Sequence, residues 1–192
     1  ETIQRTVCLG SRMYVPAKIV THIFVAIGLE AVFSAFNFLI INKQYGLKGS
    51  AMMLYSISEY QYTPFDMSVL DFYFFIVLWK CIGFAIIAIV MTLIAEIVKN
   101  TYVVFILIIG FICGSLYLSG FDNGITVVEK IFTMVSPFSL LKTGEIGITL
   151  KEINVYGHFI PLQNGIFFVQ IVLIMIILAI TYLVEKGRRA IR

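Results

Sequence analysis

The residues of this chain that could do chemistry are few and far apart. Glu30 stands inside the run IVTHIFVAIGLEAVFSAFNFLII, and Lys80 closes the aromatic run FYFFIVLW. An isolated ionised side chain at the middle of such a run costs about 2.5–3.5 kcal/mol in lipid, so Glu30 must face protein or water, or carry a proton. Lys80 is its candidate partner. The alternative has Lys80 reaching outward among interfacial aromatics while Glu30 faces a wet subunit interface. His22 and His158 have no Cys, His, Asp or Glu at ligand spacing, so no metal site is expected. Cys8, Cys81 and Cys113 form neither a CxxC pair nor an even-numbered framework and are expected to be packing residues. There is no GxSxG, no HExxH and no GxxxxGK followed by Ser or Thr. The chain is therefore expected to be no enzyme and to bind no cofactor. Any ATP and magnesium would sit on a partner subunit.

The elements that carry these residues follow from composition. Of 192 residues, 60% are apolar and 13% charged, with 17 Phe, 10 Tyr and a mean hydropathy of +0.98. An ordinary soluble domain has about 45–50% apolar and about 25% charged residues, so the bilayer must be the solvent for much of this chain. The formal charge of +3 is small and the basic residues form no stripe, so nucleic acid is not an expected partner. About 20 apolar residues cross the hydrocarbon as a helix, and four windows qualify: residues 19–41, 72–98, 102–119 and 165–184. Their apolar residues run continuously rather than in alternation, which selects helices over a barrel. The predicted fold is all-α, a polytopic transmembrane helical bundle.

Orientation follows from the cations. With the N-terminus inside, the inner segments hold Arg5, Arg12, Lys18, Lys99, Lys186, Arg188, Arg189 and Arg192. The longer outer segments, residues 42–71 and 120–164, hold Lys43, Lys48, Lys130, Lys142 and Lys151 with seven acids, Glu59, Asp66, Asp71, Asp122, Glu129, Glu145 and Glu152. The positive-inside rule then puts both ends, including the tail 185–192, in the cytoplasm. Lys99 to Thr101 forms a minimal inner turn, and the outer segments are expected to lie on or dip into the outer leaflet, with a turn at Ser136-Pro137. Gly110 and Gly114 in GFICG form a GxxxG face for a helix–helix contact, inside the subunit or across a dimer. Residues 1–18 place Ile3, Val7, Leu9 and Met13 among Glu1, Arg5, Arg12 and Lys18, which suits a short amphipathic interfacial helix broken near Gly10 and Pro16. No charged n-region precedes an apolar h-region, so no signal peptide is expected, and the opening Glu is expected to be a cut through a longer chain.

The order of these features resembles the membrane subunit of ABC-2 type transporters, in the part that follows the second transmembrane helix. The resemblance rests on Glu1, Gly10, Ser11-Arg12 and Ala17-Lys18 ahead of the first span, on AEIVKN with Ala95, Lys99 and Asn100 at the inner turn, on Ser136-Pro137, and on the basic tail. It spans essentially the whole chain through loose motifs whose order carries it. A family member has six helices, so the first two would be missing. The resemblance implies a type V exporter-like architecture in a bacterial plasma membrane, two permease halves forming a homo- or heterodimer, and two cytoplasmic ABC ATPase subunits. It makes residues 1–18 the coupling segment, with Glu1, Arg5, Gly10, Arg12 and Lys18 at the docking site. The implied cargo is hydrophobic or amphipathic: a peptide, drug, lipid or glycolipid. The alternative expectation is a non-transporting sensor or immunity subunit that binds an amphipathic peptide at the outer leaflet.

Overall fold

The structure, a computed structural model, describes residues 10–46, 48–63, 65–98, 100–119, 133–142, 148, 152–155 and 158–190, with backbone alone at 10–14, 45, 119, 152–155, 158–164 and 181–190. Among the described residues four long helices make the frame: α1 (Gly10–Tyr45), α2 (Val69–Ile97), α3 (Thr101–Ser119) and α4 (Leu162–Ala190). Three are long and apolar enough to cross a membrane, over Val15–Gln44, Val69–Ile97 and Thr101–Leu118. Between 6% and 22% of each such window is buried inside the chain. A helix that is apolar all round but unburied needs another apolar medium to cover it, which is compatible with a multi-pass membrane protein. The described apolar stretch of α4, Gly165–Ile180, is shorter.

The starts of α2 and α3 each have a local cause. Ser68 caps α2: its hydroxyl oxygen accepts the Asp71 N–H at 3.2 Å, while its O–H donates to the Asp71 carboxylate at 2.7 Å. Asn100 caps α3, its side-chain oxygen accepting the Tyr102 N–H at 3.0 Å. The break expected near Pro16 has no counterpart, because α1 runs as one helix from Gly10 through Pro16. Proline removes a single backbone bond, and contacts on both sides of it hold the axis. Val15, Ile19 and Ile23 pack with Ile89 and Leu93 of α2 and with Ile174 and Ile177 of α4.

Antiparallel contacts at 18/96, 22/92 and 34/73 set the register of α1 against α2. A second cluster joins Ile86, Met134, Leu140 and Ile166, with Trp79, Ile82, Val169 and Ile174 against it. Met134 and Leu140 belong to residues 133–142, which include a single helical turn at 133–135 and a 3-10 turn at Pro137–Leu140. Ser136 is extended (φ −74°, ψ 122°), as the residue before a proline should be. The segment meets α2 at Gly83, the midpoint of that helix, so irregular backbone enters the bundle, where it is tolerated only if protein satisfies its polar groups. The Ser136 hydroxyl donates to Ser115 O at 2.6 Å, and Ser139 donates to the carbonyls of Thr133 and Ser136. Gln170 Nε2 donates to Met134 O at 2.7 Å and to Val135 O at 3.1 Å.

The architecture is helical as expected, and among the described residues one short hairpin accompanies the helices. β1 (Glu152–Val155) and β2 (His158–Pro161) pair antiparallel, with Glu152 opposite Pro161 and Val155 opposite His158. Val155, Phe159 and Ile160 favour a strand, and the backbone groups of a segment leaving the bundle need partners from one another.

Candidate functional site

Two places combine polar chemistry with an apolar frame, one at each end of the α1–α2 pair. The first is the end formed by the N-terminus of α1 and the C-terminus of α2. Lys18 donates from Nζ to Glu96 Oε1 at 2.6 Å, joining residues 78 apart in sequence. One turn along, His22 Nδ1 lies 2.7 Å from Thr92 Oγ1. The Thr92 hydroxyl proton is already committed to Ala88 O at 2.7 Å, so Thr92 accepts and His22 Nδ1 carries the donated hydrogen. Lys18, His22, Thr92 and Glu96 thus form a polar seam beside the Ile19–Ile89–Leu93 cluster, and it fixes how α1 leans on α2.

The opposite end is closed by a folded cap. Between α1 and α2 the chain makes 3-10 turns at Leu54–Ser56 and Ser58–Tyr60, and it is held to the start of α2 by backbone bonds. Leu54 N donates to Met67 O at 3.0 Å, Val69 N to Met52 O at 3.0 Å and Leu70 N to Ser50 O at 3.1 Å. Leu54 is fully buried beneath it. An aromatic chain, Tyr60–Phe72–Phe75–Trp79–Phe167, runs from the cap into the bundle with successive centroids 5.4–6.4 Å apart. Burial, then the Glu59 carboxylate, pushes the Tyr60 phenol above its ordinary pKa. Between cap and helices lies a cavity of about 470 Å³ lined by Phe38, Ile41, Met52, Ile57, Leu70 and Tyr73, with Asn42, Ser50 and the Tyr73 hydroxyl, which donates to Ser34 O at 2.6 Å, as its polar side-chain groups. Gly46, at φ +70°, turns the chain out of α1 at the cavity's edge, a conformation that glycine adopts without a Cβ clash.

The residues singled out from sequence fall unevenly on this frame. Glu1 and Arg5 lie outside the described residues, and Gly10 and Arg12 occupy the first turns of α1. Lys18 belongs to the seam, with Glu96 as its partner. Lys80 sits at the depth of Glu30 by the helix register, yet among the described residues no ion pair joins them. Glu30 instead accepts the Ser34 hydroxyl at 2.9 Å, one turn along its own helix, and that short side chain gives up less rotamer entropy than a lysine would. Gly110 and Gly114 have no atom of the described residues within 4 Å of an added Cβ, so among the described residues nothing packs closely on them. The close approach is at Gly83, where an added Cβ would lie 3.0 Å from Leu141 Cδ2 and 3.2 Å from Leu140 Cβ. Sequence reasoning passed over Glu96 and Thr92; the available signal was an acid in an otherwise cationic inner turn. It also had no means to find Gln170 or Gly83, whose partners are brought in by the segment 133–142. Among the described residues no group of three or more His, Cys, Asp and Glu could hold a metal ion.

Among known proteins, no family model matches the chain, and neither a curated protein nor a solved structure gives a significant match.

Proposed function

We propose that the chain is a transmembrane permease subunit of an ATP-driven exporter, similar to ABC-2 type subunits, that crosses a bacterial plasma membrane four times with both ends in the cytoplasm. The observation that carries this proposal is the unbroken course of α1. Its leading turns, with Gly10 and Arg12, are continuous in one helix with the apolar stretch and reach the cap about 54 Å away. Lys18 and Glu96 tie the foot of α1 to α2, so a push on the leading segment moves two crossings together. Cytoplasmic ABC ATPases carrying ATP and magnesium would supply that push, biasing two arrangements of the subunit through contacts that differ between them. A second permease subunit would cover the Gly110/Gly114 face, and the cargo would be hydrophobic or amphipathic. Co-purification with an ATPase, followed by nucleotide hydrolysis with candidate amphipathic peptides, tests the assignment. Arg12→Glu should abolish stimulated hydrolysis while leaving insertion intact, and unchanged coupling overturns the docking role.

The folded cap and its cavity support a second function, a sensor or immunity subunit that binds an amphipathic peptide at the outer face without transport. Peptide binding by the chain in the absence of any ATPase partner would favour it over export.

A further inference from the structure

We infer that the cavity between the cap and the α1–α2 pair holds one acyl chain of a bilayer glycerolipid, taken in from the lipid side and without regard to headgroup charge. This requires that α1 and α2 cross the bilayer, as proposed, but neither their orientation nor any step of ATP coupling. Three observations identify the occupant. Among the described residues the lining carries no charged side chain: beside Phe38, Ile41, Met52, Ile57 and Leu70 it offers Asn42, Ser50 and a Tyr73 hydroxyl already committed to Ser34 O. The cavity lies within the crossings, because Phe38, Ile41 and Asn42 belong to the apolar stretch Val15–Gln44, and Leu70 and Tyr73 to Val69–Ile97. Its mouth is apolar, since the lining residues Ile41, Met52 and Ile57 are themselves exposed, and Ile41 adjoins the exposed stripe Phe33, Phe36 and Ile40 of α1.

A hydrocarbon chain suits such a place because it asks for no hydrogen bonds. An extended peptide would bring an N–H and a C=O with every residue, and the nearby carbonyls are already engaged: Asn42 O by Gly46 N, Gly49 O by Met52 N, Ser50 O by Leu70 N and Met52 O by Val69 N. Those peptide groups would be left unpaired in an apolar space. A helix about 10–12 Å across would seat only roughly one turn in the cavity of about 470 Å³. Asn42 stands where the apolar run of α1 ends, between Ile41 and Lys43, so its amide is at the depth of an ester linkage rather than of a tail. The segment 42–71 sets Lys43 and Lys48 against Glu59, Asp66 and Asp71, so no net positive charge gathers an anionic headgroup.

The test extracts the full chain, with no ATPase, in detergent from vesicles of phosphatidylcholine and phosphatidylglycerol, and native mass spectrometry counts the lipid it retains. The expected result is one glycerolipid per chain after the surrounding lipid has exchanged for detergent, with the two headgroups retained in proportion to their abundance. In the vesicles, phosphatidylcholine bearing a photoactivatable acyl chain should label Met52, Ile57 and Leu70. Met52→Trp and Gly49→Leu, which fill the cavity, should each lower retention about fivefold, the equivalent of roughly 40 Å² of hydrocarbon contact. A Cβ at Gly49 meets Met52 Sδ at 3.6 Å, an ordinary contact, so Gly49→Leu keeps the test informative if the tryptophan variant misfolds. No retained lipid, retention unchanged in both variants, a preference for phosphatidylglycerol, or readier displacement by an amphipathic peptide than by added phosphatidylcholine overturns the inference. Because no ATPase is present, these outcomes are independent of whether export is coupled to nucleotide hydrolysis.

Discussion

Gly83 offers the sharpest test of how the bundle is closed. A methyl group there would sit 3.0 Å from Leu141 Cδ2, 3.2 Å from Leu140 Cβ and 3.5 Å from Pro137 O. Carbon atoms pack best at about 3.5–4.0 Å, so Gly83→Ala creates two overlaps of roughly half an ångström. The Leu141 methyl can rotate away. Leu140 Cβ cannot, because it is fixed to the backbone of the Pro137–Leu140 turn, and Leu140 is fully buried in the cluster with Ile86, Met134 and Ile166. The segment must therefore back out of its cleft, at a cost of about 1–3 kcal/mol for overpacking. For a chain of this length that is a fall in Tm of roughly 2–12 °C. Thermal unfolding of the detergent-solubilised monomer measures the fall, and hydrogen exchange across residues 133–142 locates it. The control is built into the sequence: alanine at Gly110 or Gly114 meets no atom of the described residues within 4 Å. Replacing glycine inside a helix gains about 0.5–1 kcal/mol, so Gly110→Ala and Gly114→Ala should leave the monomer unchanged or slightly more stable. If Gly83→Ala is neutral, or if Gly110→Ala lowers Tm as far, the segment 133–142 does not seat against Gly83 and the bundle closes some other way.

Further outcomes follow from the polar contacts. Lys18→Met and Glu96→Gln should show a coupling of about 0.5–1 kcal/mol in a double-mutant cycle, a modest value because Lys18 is 38% exposed and solvent screens the pair. Glu30→Gln and Lys80→Met should combine additively, and a coupling above about 0.5 kcal/mol would restore the ion pair between them. Gln170→Leu leaves the carbonyls of Met134 and Val135 without their donor and should destabilise the fold by about 1–3 kcal/mol in the same thermal assay. Cys113 is exposed beside Gly110 and Gly114, so mild oxidation of membranes should yield disulfide-linked dimers if two copies meet on that face; dimers unaffected by Cys113→Ser refute it. Lys48→Cys in the cap should react with an impermeant thiol reagent from outside intact cells, and labelling only after lysis would invert the orientation.

Composition and run length already imply a membrane-type helical chain, because lipid imposes one rule on every residue of a crossing: an apolar side chain outside and a satisfied backbone inside. That rule is local, so it can be applied along the sequence without knowing what packs where. The tight turn capped by Asn100 and the extended Ser136 before Pro137 are equally local, since each depends on neighbours a few residues away. What touches what is another matter. In a chain so uniformly apolar, hydrophobic pattern distinguishes helix faces poorly, and partner choice falls to small differences in shape and to a few hydrogen bonds. Lys18 meets Glu96 rather than solvent, Glu30 turns to Ser34 rather than Lys80, and Gly83 rather than the GxxxG pair admits a neighbouring backbone. Each of these outcomes depends on residues far apart in sequence, 78 positions for Lys18 and Glu96, or on a choice between competing partners at one depth, and only the assembled bundle fixes which wins.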